Sequence, residues 1–420
     1  MIDPAFLDGR GRPRVAVTGI GVKTPAGTDV AGMWETVCAG RPTAGPISRW
    51  DASALPVQIA SEVHDFDATP YFGPKEVRRQ DRFTQLGFAA AADALADAGE
   101  LGADPGRCAV IAATGVGGLE SMEINEGTFL ARGASRVSPF FVTMMMPNAT
   151  AGAISINFGW TGPNLCISTA CAAGTHAIGE GARLIRDGSA DAVVAGGSEA
   201  GITPLTISAF ARMGALSTRN DDPERASRPF DADRDGFVMA EGGAFLLLES
   251  LERAISRGAG IYGEIVGYGR NGDAYHITAP SPGGAGAAVC MQLALDDAGL
   301  SPSAIGHVNA HGTSTPLNDA SEAEAIRKVF GDHSPPVTST KGVTGHMIGG
   351  AGAAEAAIAL LSMREGLVPP TANLEKIGDD IDLDVVGGAP RKVAPAPVLS
   401  NSFGFGGHNA TLILAPVELP

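Results

Sequence analysis

Cys171, His311 and His346 each sit in a glycine-rich setting, and together they could carry acyl-transfer chemistry. The cysteine lies in Ser168-Thr169-Ala170-Cys171-Ala172-Ala173-Gly174. The first histidine lies in Asn309-Ala310-His311-Gly312-Thr313-Ser314-Thr315-Pro316, and the second closes Thr340-Lys341-Gly342-Val343-Thr344-Gly345-His346. A thiol can hold an acyl group as a thioester. Two neutral imidazoles can donate N–H groups to one developing enolate oxygen beside it. That combination points to carbon–carbon bond formation on thioesters. Hydrolysis fits less well, because no acid orients either histidine in an evident triad.

The elements that must position these groups can be read from the pattern. Residues 172–187 read as a helix, with Ala173, Ala177, Ile178, Leu184 and Ile185 at helical spacing and Gly188 closing it. Cys171 then stands at a helix N-terminus, where unpaired N–H groups and the dipole favour an anion. This placement is expected to lower a thiol pKa that is ordinarily about 8.5. His311 ends a buried strand and opens a Gly-Thr-Ser-Thr-Pro loop, so its ring can enter a cavity. Lys341, five residues before His346, and Glu355, nine after it, could form an ion pair. Near the C-terminus, Asn401-Ser402-Phe403-Gly404-Phe405-Gly406-Gly407-His408-Asn409 has glycine where backbone must approach a ligand. Its N–H groups, with that of Cys171, could make an oxyanion hole. Cys38, Cys108, Cys166 and Cys290 read as inert cysteines, and His64, His307 and His333 as structural; His176 and His276 stay open.

Strands and helices alternate from Arg14 onward, which suggests an α/β layered sheet. Ala92-Asp93-Ala94-Leu95-Ala96-Asp97-Ala98-Gly99 leads into the strand Ala109–Gly115, and Ala294-Leu295-Asp296-Asp297-Ala298-Gly299 leads into the strand ending at His311. The echo predicts two duplicated halves, 14–257 carrying the cysteine and 258–420 carrying both histidines, after a loose arm over 1–13. The 420 residues suffice for such a pair.

A net charge of −16 argues against nucleic acid as a partner. No run approaches the ~18 apolar residues of a membrane span, and no secretory signal opens the chain. Five cysteines without framework spacing read as reduced thiols, so a cytoplasmic location is expected. Asp231-Ala232-Asp233-Arg234-Asp235-Gly236 begins like a calcium loop, but glycine, not glutamate, stands at the twelfth position. Gly196-Gly197-Ser198-Glu199-Ala200 resembles a GxSxG elbow but ends in alanine. No zinc spacing is present, and neither metal nor cofactor is expected.

With these motifs in order, the chain resembles the elongating β-ketoacyl-[acyl-carrier-protein] synthases of the thiolase-like superfamily, from about Val15 to Leu414. The resemblance implies a five-layer αβαβα fold, a homodimer and a two-step Claisen condensation: an acyl group on the cysteine, then malonyl-carrier protein. It implies that Cys171 is acylated, that His311 and His346 assist decarboxylation, and that Lys341 and Glu355 support them. It assigns the oxyanion hole to the N–H groups of Cys171 and Phe405, with Phe405 as a gate. Thr313 and Thr315 fall at pantetheine contacts, Val116 and Phe210 at the acyl-binding wall, and Phe403 among the substrate-binding residues. Some members hold a monovalent cation near Asn309, Glu355 and Asn401. Acyl carrier protein is the implied partner, docking on Lys75, Arg78 and Arg79, with Arg136 and Arg212 as extensions; such an acidic partner needs a local basic patch. His408, Ala172-Ala173 and Met347 depart from common forms.

An alternative within the family is the ketosynthase of a discrete polyketide pathway, paired with a chain-length-factor homologue. A coenzyme-A thiolase would need a second catalytic cysteine, and only Cys290 follows Cys171. A non-catalytic chain-length-factor subunit would lack the cysteine that this chain has.

Overall fold

The computed structural model describes residues 3–419. Its ten principal strands are β1 (Val15–Lys23), β2 (Cys108–Ala113), β3 (Asn164–Ile167), β4 (Ala192–Ala200), β5 (Glu241–Ser250), β6 (Gly263–Gly272), β7 (His307–Asn309), β8 (Val337–Thr338), β9 (Val398–Gly404) and β10 (His408–Ala415). They join in the order β8-β7-β9-β10-β6-β1-β5-β4-β2-β3. Five strands belong to each half, and the pairing repeats. The neighbours β1-β5-β4-β2-β3 are antiparallel, antiparallel, parallel, parallel. The neighbours β6-β10-β9-β7-β8 follow the same sequence of orientations. The two five-stranded sheets touch only along a short antiparallel seam, Val15–Val17 against Gly263–Ile265.

Five helices complete the layers: α1 (Arg82–Ala98), α2 (Ala173–Arg186), α3 (Ala285–Ala298), α4 (Pro316–Phe330) and α5 (Ala351–Glu365). α1 covers the outer face of the first sheet; α3 covers that of the second, and α4 packs beside α3 into the same core. α2 and α5 pack against each other between the sheets, giving the αβαβα order that the resemblance implies. α5 is buried from Ala351 to Met363. Its alanines leave both sheets close to the helix axis, and one core runs from β1 through α2 and α5 to β10.

The duplication reaches down to single atoms. A Cβ on Gly19 would stand 2.1 Å from the Ala94 carbonyl oxygen, and one on Gly21 2.0 Å from that of Ala90. In the second half, a Cβ on Gly267 would stand 2.4 Å from the Ala294 oxygen, and one on Gly269 2.1 Å from that of Cys290. Each half thus uses a glycine pair on its first strand to let an alanine-rich helix lie flat on the sheet. Gly99 and Gly299 then end those helices at positive φ.

The arm differs from the expectation of a loose segment. Met1 and Ile2 lie outside the described residues, but the rest is anchored. Arg12 bonds Asp8 and Asp297, both at 2.7 Å, and Phe6 packs near Ala16 and Leu251. The arginines find carboxylates on the second half, which composition alone does not reveal. No helix among the described residues is long and apolar enough to cross a membrane.

Because the Gly21 and Gly269 contacts are to backbone, neither neighbour can swing away. Gly21→Ala and Gly269→Ala should each destabilise the fold by about 1–3 kcal/mol through overpacking, seen as a lowered melting temperature. Gly260→Ala, where nothing lies within 4 Å, should leave it unchanged.

Candidate active site

Cys171 sits on a sharp turn between β3 and α2. Ala170 is left-handed at φ 51°, and a 3₁₀ turn over Ala170–Ala172 runs straight into α2. That turn aims the thiol off the helix N-terminus. The strand end of β9 backs onto it. A Cβ on Gly404 would stand 2.7 Å from the Thr169 oxygen and 3.1 Å from the Cys171 nitrogen, so glycine is required there. With this approach the N–H groups of Phe405 and Cys171 lie near enough to the sulfur to favour its anion.

His311 follows β7. Its N–H and that of Gly312 donate to the two oxygens of Glu322, at 2.8 and 2.7 Å. His346 is held by its own backbone, donating to Val238 O at 2.8 Å and accepting from Ala240 N at 3.0 Å. The two imidazoles lie edge to face, centroids 5.4 Å apart. Phe237 stands 5.3 Å from the His346 ring and Phe403 5.9 Å from the His311 ring. One ring nitrogen from each histidine and the Cys171 sulfur lie within 4.8 Å of one another.

Behind the histidines, the Lys341 ammonium donates to the His311 carbonyl at 2.6 Å, to His311 Nδ1 at 3.3 Å and to Glu355 of α5. An ammonium can only donate, so Nδ1 accepts and the imidazole proton sits on Nε2. Neither ring nitrogen of His346 has a protein partner. Asn309 Oδ1 and Glu355 Oε2 are likewise buried without one. These two acceptors suit a monovalent cation, which would supply neutralising charge there. Cys171, His311 and His346 could in principle ligate a divalent metal, but the Lys341 ammonium beside His311 opposes a dication.

Electrostatics follow from burial. Desolvation pushes the Cys171 thiol up to about 12, against the Lys341 charge and the flanking N–H groups. This corrects the sequence expectation: the helix terminus is present, but removal from water outweighs it. Desolvation, then the Lys341 charge, holds both His311 and His346 well below the ordinary imidazole range, so they are neutral. Each reacting side chain adjoins backbone at positive φ: Ala170 before Cys171, Gly312 after His311, and Ile348 two residues past His346. Backbone strain of this kind gathers where geometry is over-determined.

A cavity of about 550 Å³ opens onto this group. Val116, Phe210, Thr313, Thr315, Phe403 and Phe405 line it, together with Cys171, His311 and His346. Lys341 and Glu355 lie behind the wall. Lys75, Arg78 and Arg79 lie elsewhere, exposed around a short 3₁₀ turn, with Arg79 bonded to Glu76 and stacked 4.6 Å over Phe140. His276 caps a rim turn, its Nδ1 accepting from Thr278 and Ala279 N–H; His64 is exposed; His176 is buried beside the nucleophile turn. Sequence reasoning missed two buried carboxylates. Glu322 fixes the His311 turn, and its pKa is pushed up to about 7 by burial. Glu199 gathers Thr114 Oγ1, Gly115 N and Gly349 N, tying the Val116 wall to the loop after His346. Its one signal was its place in the failed elbow Gly196–Ala200.

This arrangement has close counterparts. Residues 12–254 match the β-ketoacyl synthase N-terminal domain, and residues 262–375 match the β-ketoacyl synthase C-terminal domain. The 3-oxoacyl-[acyl-carrier-protein] synthase 2 of Synechocystis is 49% identical over 96% of this chain and 97% of that protein. The ishigamide ketosynthase/chain length factor structure superposes with a TM-score of 0.91 at 35% identity, covering 97% of this chain and all of that one. The AntDE:AntF structure, a type II polyketide ketosynthase in complex with its acyl-carrier protein, does so at 0.90 and 32%, over 97% of this chain and all of that one. Both domains matched in order, and a near-full-length relative that shares about half the residues, lead to one conclusion: the chain belongs to the β-ketoacyl synthase family.

Proposed function

We propose that this protein is an elongating 3-oxoacyl-[acyl-carrier-protein] synthase. The observation that carries the reading is one buried thiol and two neutral imidazoles within 4.8 Å on one cavity wall. In the first step Cys171 attacks the thioester carbonyl of an acyl-carrier protein. The S–acyl bond to the carrier breaks, one to Cys171 forms, and the thiol proton ends on the departing carrier thiol. A neutral imidazole can carry it, which removes the need for a free thiolate in a site that disfavours one. The N–H groups of Cys171 and Phe405 hold the carbonyl oxygen as it becomes negative.

In the second step malonyl-carrier protein enters past Thr313 and Thr315. Carbon dioxide leaves, and its electron pair becomes a thioester enolate. His311 Nε2–H and His346 hold the enolate oxygen. The enolate carbon attacks the Cys171 acyl carbonyl, the carbon–sulfur bond breaks, the departing Cys171 sulfur takes up one proton from solvent to return to the thiol, and the product is two carbons longer with a 3-oxo group. Lys341 and Glu355 hold His311 in the required tautomer; Val116, Phe210 and Phe403 receive the acyl chain, and Phe405 gates it. Elongation of fatty acids is favoured over the polyketide alternative by the higher identity to the Synechocystis synthase, 49% against 35% and 32% for the polyketide-type structures.

The partner is an acyl carrier protein, docking on Lys75, Arg78 and Arg79 with Arg136 and Arg212. The protein works as a homodimer in the cytoplasm. Support for the dimer is the bare edge strand β3, with Leu165 53% exposed, beside the helix that carries Ile156, 81% exposed, while Phe129 and Leu130 are also exposed. We divide the chain into an arm over 1–13 and halves over 14–257 and 258–420, between the helical turn ending at Ser256 and the start of β6.

Four measurements test the reading. Intact mass should show acyl transfer from acyl-carrier protein to the wild type but not to Cys171→Ala. His311→Ala should load as wild type and His346→Ala more slowly, because His346 has the ring nitrogens able to carry the thiol proton; both should then fail to release 3-oxoacyl product, losing about 100-fold or more in condensation, and condensation at wild-type rate would sink their assigned roles. Because both imidazoles are held neutral, malonyl-carrier decarboxylation should stay level as pH falls through about 6.5, where an ordinary imidazole protonates; a half-loss there would count against it. Lys341→Ala leaves Glu355 buried and unpaired and should cost about 3–5 kcal/mol of stability. Lys341→Met with Glu355→Leu should recover most of that in denaturant unfolding while condensation stays lost.

A further inference from the structure

We propose that His176 is a positioning residue whose imidazole clamps the nucleophile turn to the final strand and so sets the two N–H groups beside the Cys171 sulfur. The inference rests on the condensing reading above. His176 lies on α2, five residues after the cysteine, and is buried. Its Nδ1 stands 2.8 Å from the Thr169 hydroxyl, on the turn that presents Cys171. The backbone at Ala172, on the other side of the cysteine, and at Asn409, in β10, lies near enough to the same ring to raise its pKa against the effect of burial. Asn409 is itself fixed, donating to Asn271 at 3.0 Å and Asp273 at 2.7 Å. Between Thr169 and Asn409 in space runs the Gly404–Gly407 turn that carries the Phe405 N–H. One imidazole therefore bonds one wall of the proposed oxyanion hole and lies against the other. Tyr268 closes its remaining face edge-on, centroids 6.3 Å apart.

The ring is suited to this task. Burial lowers its pKa to about 4, with the charges of His408 and Arg270 adding to the effect, so it is neutral. A neutral ring can accept from the Thr169 hydroxyl at Nδ1 and donate from Nε2 to a carbonyl. The clamp spans two elements that must approach to within a Cβ of each other at Gly404, and it works beside the buried Thr175–Ser402 hydroxyl bond of 2.7 Å that joins α2 to β9. A residue that only filled space there would be replaced without kinetic consequence by an apolar side chain of similar volume.

The test compares His176→Leu, His176→Asn, Thr169→Val and the Leu/Val double variant with wild type. Three readouts are taken: kcat/KM for acyl loading from acyl-carrier protein onto Cys171, malonyl-carrier decarboxylation, and melting temperature. Losing the clamp should slow loading on the order of tenfold in His176→Leu and in Thr169→Val, the yield of one hydrogen bond and the geometry it holds. The double variant should be no slower than either single one. Decarboxylation, which uses the other histidines, should change less than about twofold. Asparagine, whose amide reaches the Nδ1 position, should restore most of the loading rate. Wild-type loading in His176→Leu, equal losses in both half-reactions, or additive losses in the double variant would overturn the clamp. Should His176→Leu not fold, Thr169→Val and His176→Asn carry the same comparison. Failure of wild type itself to load would overturn the condensing reading and the clamp with it; loading by wild type and variants alike would overturn the clamp alone.

Discussion

The buried ammonium of Lys341 is the fixed point of this site. It is almost without solvent, and it sits among the His311 carbonyl, His311 Nδ1 and the Glu355 carboxylate. A charge so placed persists only with its counter-charge at contact and its donors used. Glu355 supplies the counter-charge from α5, the central helix of the second half, and α5 packs on α2, which begins next to Cys171. The ion pair thus joins the histidine wall to the helix layer that also carries the thiol. It sets a tautomer as well: with Nδ1 accepting, only Nε2 of His311 can donate into the cavity. The same positive charge helps keep both imidazoles neutral, so the groups that would stabilise an enolate are in their donating form before substrate arrives.

Much of this was legible in the sequence, for local reasons. Cys171, His311 and His346 announce themselves because each needs small residues and glycine within a few positions. The Lys341–Glu355 spacing was readable because both lie near His346 along the chain. The echo between the Gly99 and Gly299 helices was readable because helix ends have a local signature. What lay hidden depends on the whole fold. The glycine pairs Gly19/Gly21 and Gly267/Gly269 are the deeper form of the same duplication, but they acquire meaning only once strand is set against helix. Glu199 and Glu322 look like ordinary solvated acids until the chain folds around them. The direction of the Cys171 shift was misread for the same reason: a helix terminus is local, whereas desolvation sums over everything that surrounds the sulfur.

Strain and burial have one purpose here. Ala170, Gly312 and Ile348 hold unusual backbone beside each reacting side chain, and the carboxylates of Glu199 and Glu322 grip the loops concerned through paired N–H groups. Charge-assisted bonds of that kind are the stronger sort, and here they oppose the relaxation that strained loops would otherwise undergo. The cavity wall is therefore shaped in advance, with little reorganisation left for the moment of reaction.

The strand order has a consequence of another kind. The two sheets meet along three residues of β1 and β6, and the thiol comes from one sheet's loops while both imidazoles come from the other's. Neither half owns a complete set of reacting groups. A duplication that yields two copies of one frame does not yield two copies of a reaction, because each copy has kept a different part of it. The contact between halves is therefore as necessary to the reaction as any one side chain, because the complete set of reacting groups exists only where the two frames meet.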